Sequence, residues 1–336
     1  MAAKREIDGS PPGPPDSPES LVKSAALSAG FSLVGIASVF PSPRSAEAFD
    51  RWIAEGKHAE MKYLSGGADK RKNPALLLEG AKSVICVAVN YYSRAKEDWN
   101  RTAAGDGRGE TAMYAHGRDY HEVMGGMLSD LRARLDELFP GIAARPVVDT
   151  EPISERDLAA QAGIAWLGKN TCAISPRYGS WILLGELITD LALAADEPLR
   201  SLCGRCTRCI DSCPTGALSE YVLDANRCIS YLTIEHRGDI PAGFHRPIGR
   251  NLFGCDECQR VCPFNKVARE SVVFAAGERN GIVKMTLEDL RVIPDGEFKE
   301  LARGTAIARC KAPGIRRNAG IVIGNAGREG EGETPP

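Results

Sequence analysis

The sequence lacks an apolar N-terminal run: MAAKREIDGS leads into a proline-rich stretch, and no secretory signal can be read there. It also lacks a bilayer-spanning segment. The longest apolar stretch, Trp181 to Ala195, is broken by Glu186 and Asp190 and falls short of the roughly 20 residues a spanning helix needs. Charge of one sign is scarce, with a formal net of -2 over 336 residues, so the whole molecule is no obvious polyanion binder. No repeat stands out beyond two cysteine motifs, and no coiled-coil pattern marks an assembly surface. The expectation is a cytoplasmic monomer with no membrane partner. These absences also govern how the 11 cysteines are read, because thiols clustered in a reducing compartment usually bind metal rather than pair as disulfides.

What is present reads as an α+β (mixed α/β) protein. Ser17 and Pro18 cap and start a helix that Gly30 stops, Phe31 to Ser38 is a strand, and Ser45 to Gly56 is a helix. Lys82 to Asn90 (KSVICVAVN) has the β-branched apolar run of a buried strand. After a glycine-rich loop at 105–109 come a helix from His121 to Leu138, a strand from Ala144 to Val148, a helix from Ser154 to Gly163 and a strand from Trp181 to Thr189. Leu287 to Gly324 is mostly helical in pattern. The division expected is a disordered leader (1–19), an α/β domain (20–195), a cysteine segment (196–270), a short helical C-terminal segment (271–326) and a frayed, disordered tail (327–336).

The strongest motif is Cys203, Cys206, Cys209 and Cys213 followed by Pro214, the C-x2-C-x2-C-x3-C-P run of bacterial ferredoxins. In that run the fourth cysteine ligates the other cluster, so a partner motif is required. It is present in stretched form: Cys228 stands alone, and Cys255, Cys258 and Cys262 with Pro263 follow after 26 residues, 229 to 254. By the crossing rule Cys203, Cys206, Cys209 and Cys262 hold one [4Fe-4S] cluster, and Cys213, Cys228, Cys255 and Cys258 the other. A zinc ribbon needs only four cysteines in two pairs. Cys86, Cys172 and Cys310 are scattered, and no chemistry is assigned to them.

Two motifs in the first half are weaker. Gly163 to Asn170 fits G-x-x-x-x-G-K, but Asn170 stands where a phosphate loop carries Ser or Thr, and the segment follows a helix rather than a strand. Asp119, Tyr120 and His121 begin like the D-x-H-x-x-G box that gives a histidine to cobalt, but the glycine comes one place late, at Gly125.

The order MKYL (61–64), LLEGAKSVICVAVNYY (77–92), YAHGRDYH (114–121), VDTEPISER (148–156), AGIAWLGKNT (162–171), the ferredoxin run, CISYLTIEHRG (228–238), GCDECQRVCPFN (254–265) and RRNAGIVIGN (316–325) resembles bacterial epoxyqueuosine reductase over about 300 residues. The resemblance implies a cobalamin-binding α/β domain ahead of the two-cluster domain, and reduction of epoxyqueuosine at the wobble position of transfer RNA. It implies cobalamin without a lower histidine ligand, and a low-potential electron donor. It matches Asp149 to the family's proton donor, and Gly168, Lys169, Asn170, Ser230 and Asp256 to the corrin surroundings. For Asp149 to act as an acid near neutral pH, burial would have to raise its pKa. Phosphate contacts are expected from Arg237 and from the basic run Arg303, Arg309, Lys311, Arg316 and Arg317, which contains no acidic residue. The rivals are a reductive dehalogenase, which usually carries an export signal, and a non-enzymatic electron-transfer module.

Overall fold

A computed structural model describes residues 17–329 apart from 41, 104 and 275–278. The leader up to residue 16 and the tail from residue 330 lie outside the described residues.

The first half is a three-layer arrangement around one four-stranded sheet. Its strands are β1 (Leu33–Ser38), β2 (Ser83–Asn90), β3 (Ala144–Val147) and β4 (Ile182–Thr189), in the order β1-β2-β4-β3 with every pair antiparallel. Because side chains alternate across a strand, β2 feeds two cores. Ile85, Val87 and Val89 join a cluster with α1 (Pro18–Ser28) and α2 (Tyr120–Leu138), while Val84, Cys86 and Ala88 join one with α3 (Glu155–Gln161) on the other face.

Two glycines set how closely the helices approach. A Cβ at Gly35 of β1 would collide with the Ala162 carbonyl just past α3, and one at Gly185 of β4 would press on Met124 and Leu128 of α2. Helix-to-sheet distance at both faces thus depends on a missing side chain, and with it the placing of Tyr120, His121 and Glu155 at the helix starts.

The cysteine segment is short turns and single-turn helices, joined to the first half by a parallel bridge between Glu110–Thr111 and Asn251–Phe253. Two- and three-residue strands carry no periodicity, so neither they nor the helix at Arg94–Thr102 is legible in sequence. The C-terminal segment packs as short helices around α5 (Lys311–Glu329), with α4 (Ile229–Ile234) of the cysteine segment against it. Helix α5 continues to Glu329, into the tail expected to be frayed from residue 327. Likewise α1 begins at Pro18, inside the expected leader, because Ser17 Oγ accepts the Ser20 N–H and caps it.

Candidate active site and cluster pockets

Asp149 follows β3 in a left-handed backbone conformation, φ +42, uncommon for a non-glycine residue and typical of functional turns. Its carboxyl is ringed by donors from α2. Tyr120 Oη donates to Oδ2 at 2.6 Å, and His121 Nε2 lies 3.4 Å from the same oxygen. His121 Nδ1 is 2.7 Å from Asp119 Oδ1, and its ring stacks on Tyr120 at 4.0 Å between centroids. From α3, Glu155 Oε1 accepts the Asp149 N–H at 2.7 Å. The Asp149 side chain is nonetheless 57% exposed, so its carboxyl is open to solvent.

The electrostatics run opposite to the simplest requirement for an acid. The His121 hydrogen bond, outweighing desolvation and aided by Tyr120, holds Asp149 below its ordinary carboxylate range. The proton resides on its neighbours. Burial, then the Asp149 charge, lifts Glu155 to about 8. His121 is lifted to about 9, since its bonds to Asp119 and Asp149 outweigh the opposing effect of burial. The raised pKa that Asp149 would need to act as a resting acid is therefore not found there; of these two neighbouring carboxyls it is Glu155 that is raised.

Cys203, Cys206, Cys209 and Cys262 line one pocket together with Lys169, Asn170 and Phe264. Cys213, Cys228, Cys255 and Cys258 stand within electrostatic reach of one another. No group of three or more His, Cys, Asp or Glu among the described residues is drawn into a single-ion site. Four soft thiols at one pocket are the ligand set of a [4Fe-4S] cubane. Cys172, to which sequence assigned no chemistry, has its thiol against Cys258. Spacing gives no hint of that contact, which depends on the hairpin Trp166–Leu167 with Ala173–Ile174.

Other expected site residues fall in several places. A Cβ on Gly168 would meet Ile174 and the Asn170 side chain, so the glycine serves the hairpin. Lys169 is buried and paired to Glu220 at 2.5 Å, and Asn170 Nδ2 donates to the Cys258 carbonyl at 3.2 Å. Both are at the cluster pockets rather than beside Asp149. Asp256 is buried and accepts the Met113 N–H at 2.8 Å, and Ser230 is half-buried beside Cys228. Tyr114 lies within electrostatic reach of both Asp256 and Asp149, and edge-on to Tyr120 at 5.9 Å.

The basic run divides. Arg317 donates to the carbonyls of Leu232, His236 and Gly238, and Arg237 to those of Ile234, Arg309 and Cys310, so both staple α4 to the C-terminal segment. Arg316 reaches the Ile293 carbonyl and Asp295. Arg303, Arg309 and Lys311 are on the surface. Arg309 makes a two-pronged pair with Glu235 and lies 5.5 Å from the ring of exposed Tyr63, which is within electrostatic reach of Asp149.

Comparison with known proteins decides the family. Residues 202–265 match the 4Fe-4S double cluster binding domain, and residues 71–150 match the domain of epoxyqueuosine reductase QueG, DUF1730. The epoxyqueuosine reductase of Gloeobacter violaceus is 40% identical over 316 residues, covering 91% of this chain and 96% of that one. The chain belongs to the epoxyqueuosine reductase family. The Xanthomonas campestris enzyme is 39% identical over 307 residues, covering 91% and 86%. Among solved structures, an epoxyqueuosine reductase with a tRNA-Tyr epoxyqueuosine-modified stem loop superposes with a TM-score of 0.80 at 32% identity, covering 91% of this chain and 80% of that one. The Bacillus subtilis family member, in a structure with its aspartate-bearing catalytic loop swung out of the active site, gives the same score, identity and coverage. The chain is thus an oxidoreductase of this family with a double-cluster segment, and neither the dehalogenase nor the carrier reading is favoured.

Proposed function

We propose that this chain reduces epoxyqueuosine in transfer RNA to queuosine at the exposed Asp149 carboxyl, with electrons arriving through the two cysteine-held clusters. The observation that carries the reading is Asp149 itself: an accessible carboxyl at a strained turn, held by Tyr120 and His121 over a chain rich in cluster ligands. Removing an epoxide oxygen as water consumes two electrons and two protons. Asp149 is positioned to deliver a proton to the departing oxygen, with Tyr120 and His121 fixing its orientation.

A cobalamin beside Asp149 belongs to the same proposal. The fit rests on the exposed Asp149 carboxyl beside the aromatic group Tyr114, Tyr120 and His121, with Asp256 and Ser230 on the cluster side. His121 is held by Asp119 and Asp149 and would orient the Asp149 carboxyl toward such a group. When bound, such a cofactor supplies a strongly reducing, nucleophilic cobalt that the clusters can recharge. Of the basic residues, Arg303, Arg309 and Lys311 remain candidates for RNA phosphates, whereas Arg237 and Arg317 are held by the fold. A low-potential donor, a monomeric state and a cytoplasmic setting complete the reading. Among the described residues no helix is long and apolar enough to cross a membrane.

The test is anaerobic incubation of the cluster-loaded chain, cobalamin and a chemical reductant with epoxyqueuosine-containing transfer RNA, followed by nucleoside mass analysis. Queuosine should appear. Persistent epoxide would refute the reading.

A further inference from the structure

The surface over the first cysteine set has no part in holding RNA or epoxide in the reading above. Leu199, Cys203 and Phe264 pack on the buried group Trp166, Ile174 and Cys262, and Trp166 meets Phe264 edge-on at 4.8 Å. Three separate segments thus converge on the pocket of Cys203, Cys206, Cys209 and Cys262. The turn at 175–179 joins them: the Ser180 N–H donates to Asn265 Oδ1 at 2.7 Å, and a Cβ on Gly179 would collide with that same side chain.

The charge around this pocket has one sign. Residues 173–180, 199–210 and 262–269 carry six cations, Arg177, Arg200, Arg205, Arg208, Lys266 and Arg269, and no carboxylate. All six are exposed, and none is in an ion pair among the described residues. Most neighbouring acids are engaged: Glu220 pairs with Lys169, Asp211 accepts from Thr207 Oγ1, and Glu270 accepts the Arg94 N–H, while Glu197 stands exposed two residues before Leu199. Two apolar side chains open to solvent lie among the cations, Leu202 at 47% and Val267 at 60% exposure. The second cysteine set is the one that contacts join to Asp149. Asp256, next to Cys255, accepts the Met113 N–H, and Tyr114 lies edge-on to Tyr120, the donor to Asp149. That leaves the first set as the side from which electrons enter.

We propose that this face docks the electron donor, and that the donor is a small acidic protein carrying one electron at a time. The inference takes from the function proposed above only that the clusters receive electrons from outside. An apolar centre with a cationic rim fits a partner of opposite charge held briefly, because rim charges speed and orient the encounter and redox pairs bury little surface. RNA phosphates would use the cations but leave Leu202 and Val267 unmatched. Each visit moves one electron: the centre of the donor is oxidised, the cluster on the first set is reduced, no bond forms or breaks, and no proton moves. Two visits supply the two electrons with which the epoxide oxygen leaves as water.

A chain carrying Arg200→Glu, Arg205→Glu and Lys266→Glu together, with both clusters and without RNA or cobalamin, tests the proposal. Stopped-flow absorbance follows cluster reduction by two acidic carriers, a reduced flavodoxin and a reduced [2Fe-2S] ferredoxin, and by photoreduced deazariboflavin, an uncharged small molecule. In wild type the rate constant with the carriers should fall steeply as salt is added. In the variant it should be about tenfold or more lower and nearly independent of salt, while iron content and the deazariboflavin rate keep their wild-type values. Carrier rates unchanged by the three reversals, or a wild type that deazariboflavin reduces and neither carrier does, would overturn the proposal. Weaker binding of an RNA stem-loop by the variant at unchanged carrier rates would assign the face to RNA instead. Should the triple variant lose iron, Arg205→Glu and Lys266→Glu carry the test separately, each with a drop of about threefold. If wild type takes electrons from a carrier and still leaves the epoxide intact, the function reading fails and the docking face stands.

Discussion

At the residue scale, Asp149 and Glu155 are neighbouring carboxyls whose surroundings push their pKa values in opposite directions. Asp149→Asn preserves the Tyr120 contact but removes the acid, so turnover should fall about 100- to 10,000-fold while iron content and folding stay unchanged. Iron analysis beside a nucleoside assay checks both halves. Glu155 carries a pH consequence of its own. Its pKa rises from 4.5 to about 8 on folding, so the folded chain holds a proton that the unfolded chain releases. The stability it contributes is complete below 4.5 and declines as pH rises through about 8. Urea titrations across that window should show a slope that Glu155→Gln reduces. The position of Asp149 just after a strand was legible in sequence, and the proton-donor role proposed for it came with the family resemblance. The placing of Glu155 was not, because a helix-start glutamate is ordinary until the chain bends its carboxyl onto the Asp149 amide.

At the element scale, the long strands and helices were legible because β-branched runs and helix caps mark them. Short bridges such as Glu110–Thr111 with Asn251–Phe253 were not, since their partner lies far along the chain. The glycine at 35 shows what composition hides: nothing in a strand pattern demands it, yet a methyl group there meets the Ala162 carbonyl. Gly35→Ala should destabilise the fold by about 1–3 kcal/mol, read by denaturant midpoint, and displace α3 with Glu155. Arg317 makes the same point for the basic run. Charge pattern alone places it with the RNA contacts, whereas its guanidinium satisfies three carbonyls around the end of α4. Arg317→Ala should therefore lower the denaturation midpoint before it lowers RNA affinity, with stem-loop titration and thermal unfolding run on the same sample.

At the scale of the whole molecule, the double-cluster segment was legible because two-residue cysteine gaps are a local geometric constraint, and the division of its eight cysteines into two sets of four is the reading proposed from that spacing. The structure adds that the first set shares one pocket and that Cys172 abuts the second. Cys228→Ala should cost one cluster, cutting iron per chain to roughly half and leaving one set of paramagnetic signals on reduction. The central claim joins the two halves: electrons carried by the clusters these thiols bind are spent on an epoxide at Asp149. It is tested most directly by single-turnover reaction of the pre-reduced, cobalamin-loaded chain with epoxyqueuosine stem-loop, wild type against Asp149→Asn, with nucleosides resolved by mass. Queuosine formed by wild type and not by the variant is the result expected; equal yields from both, or none from wild type, would contradict it.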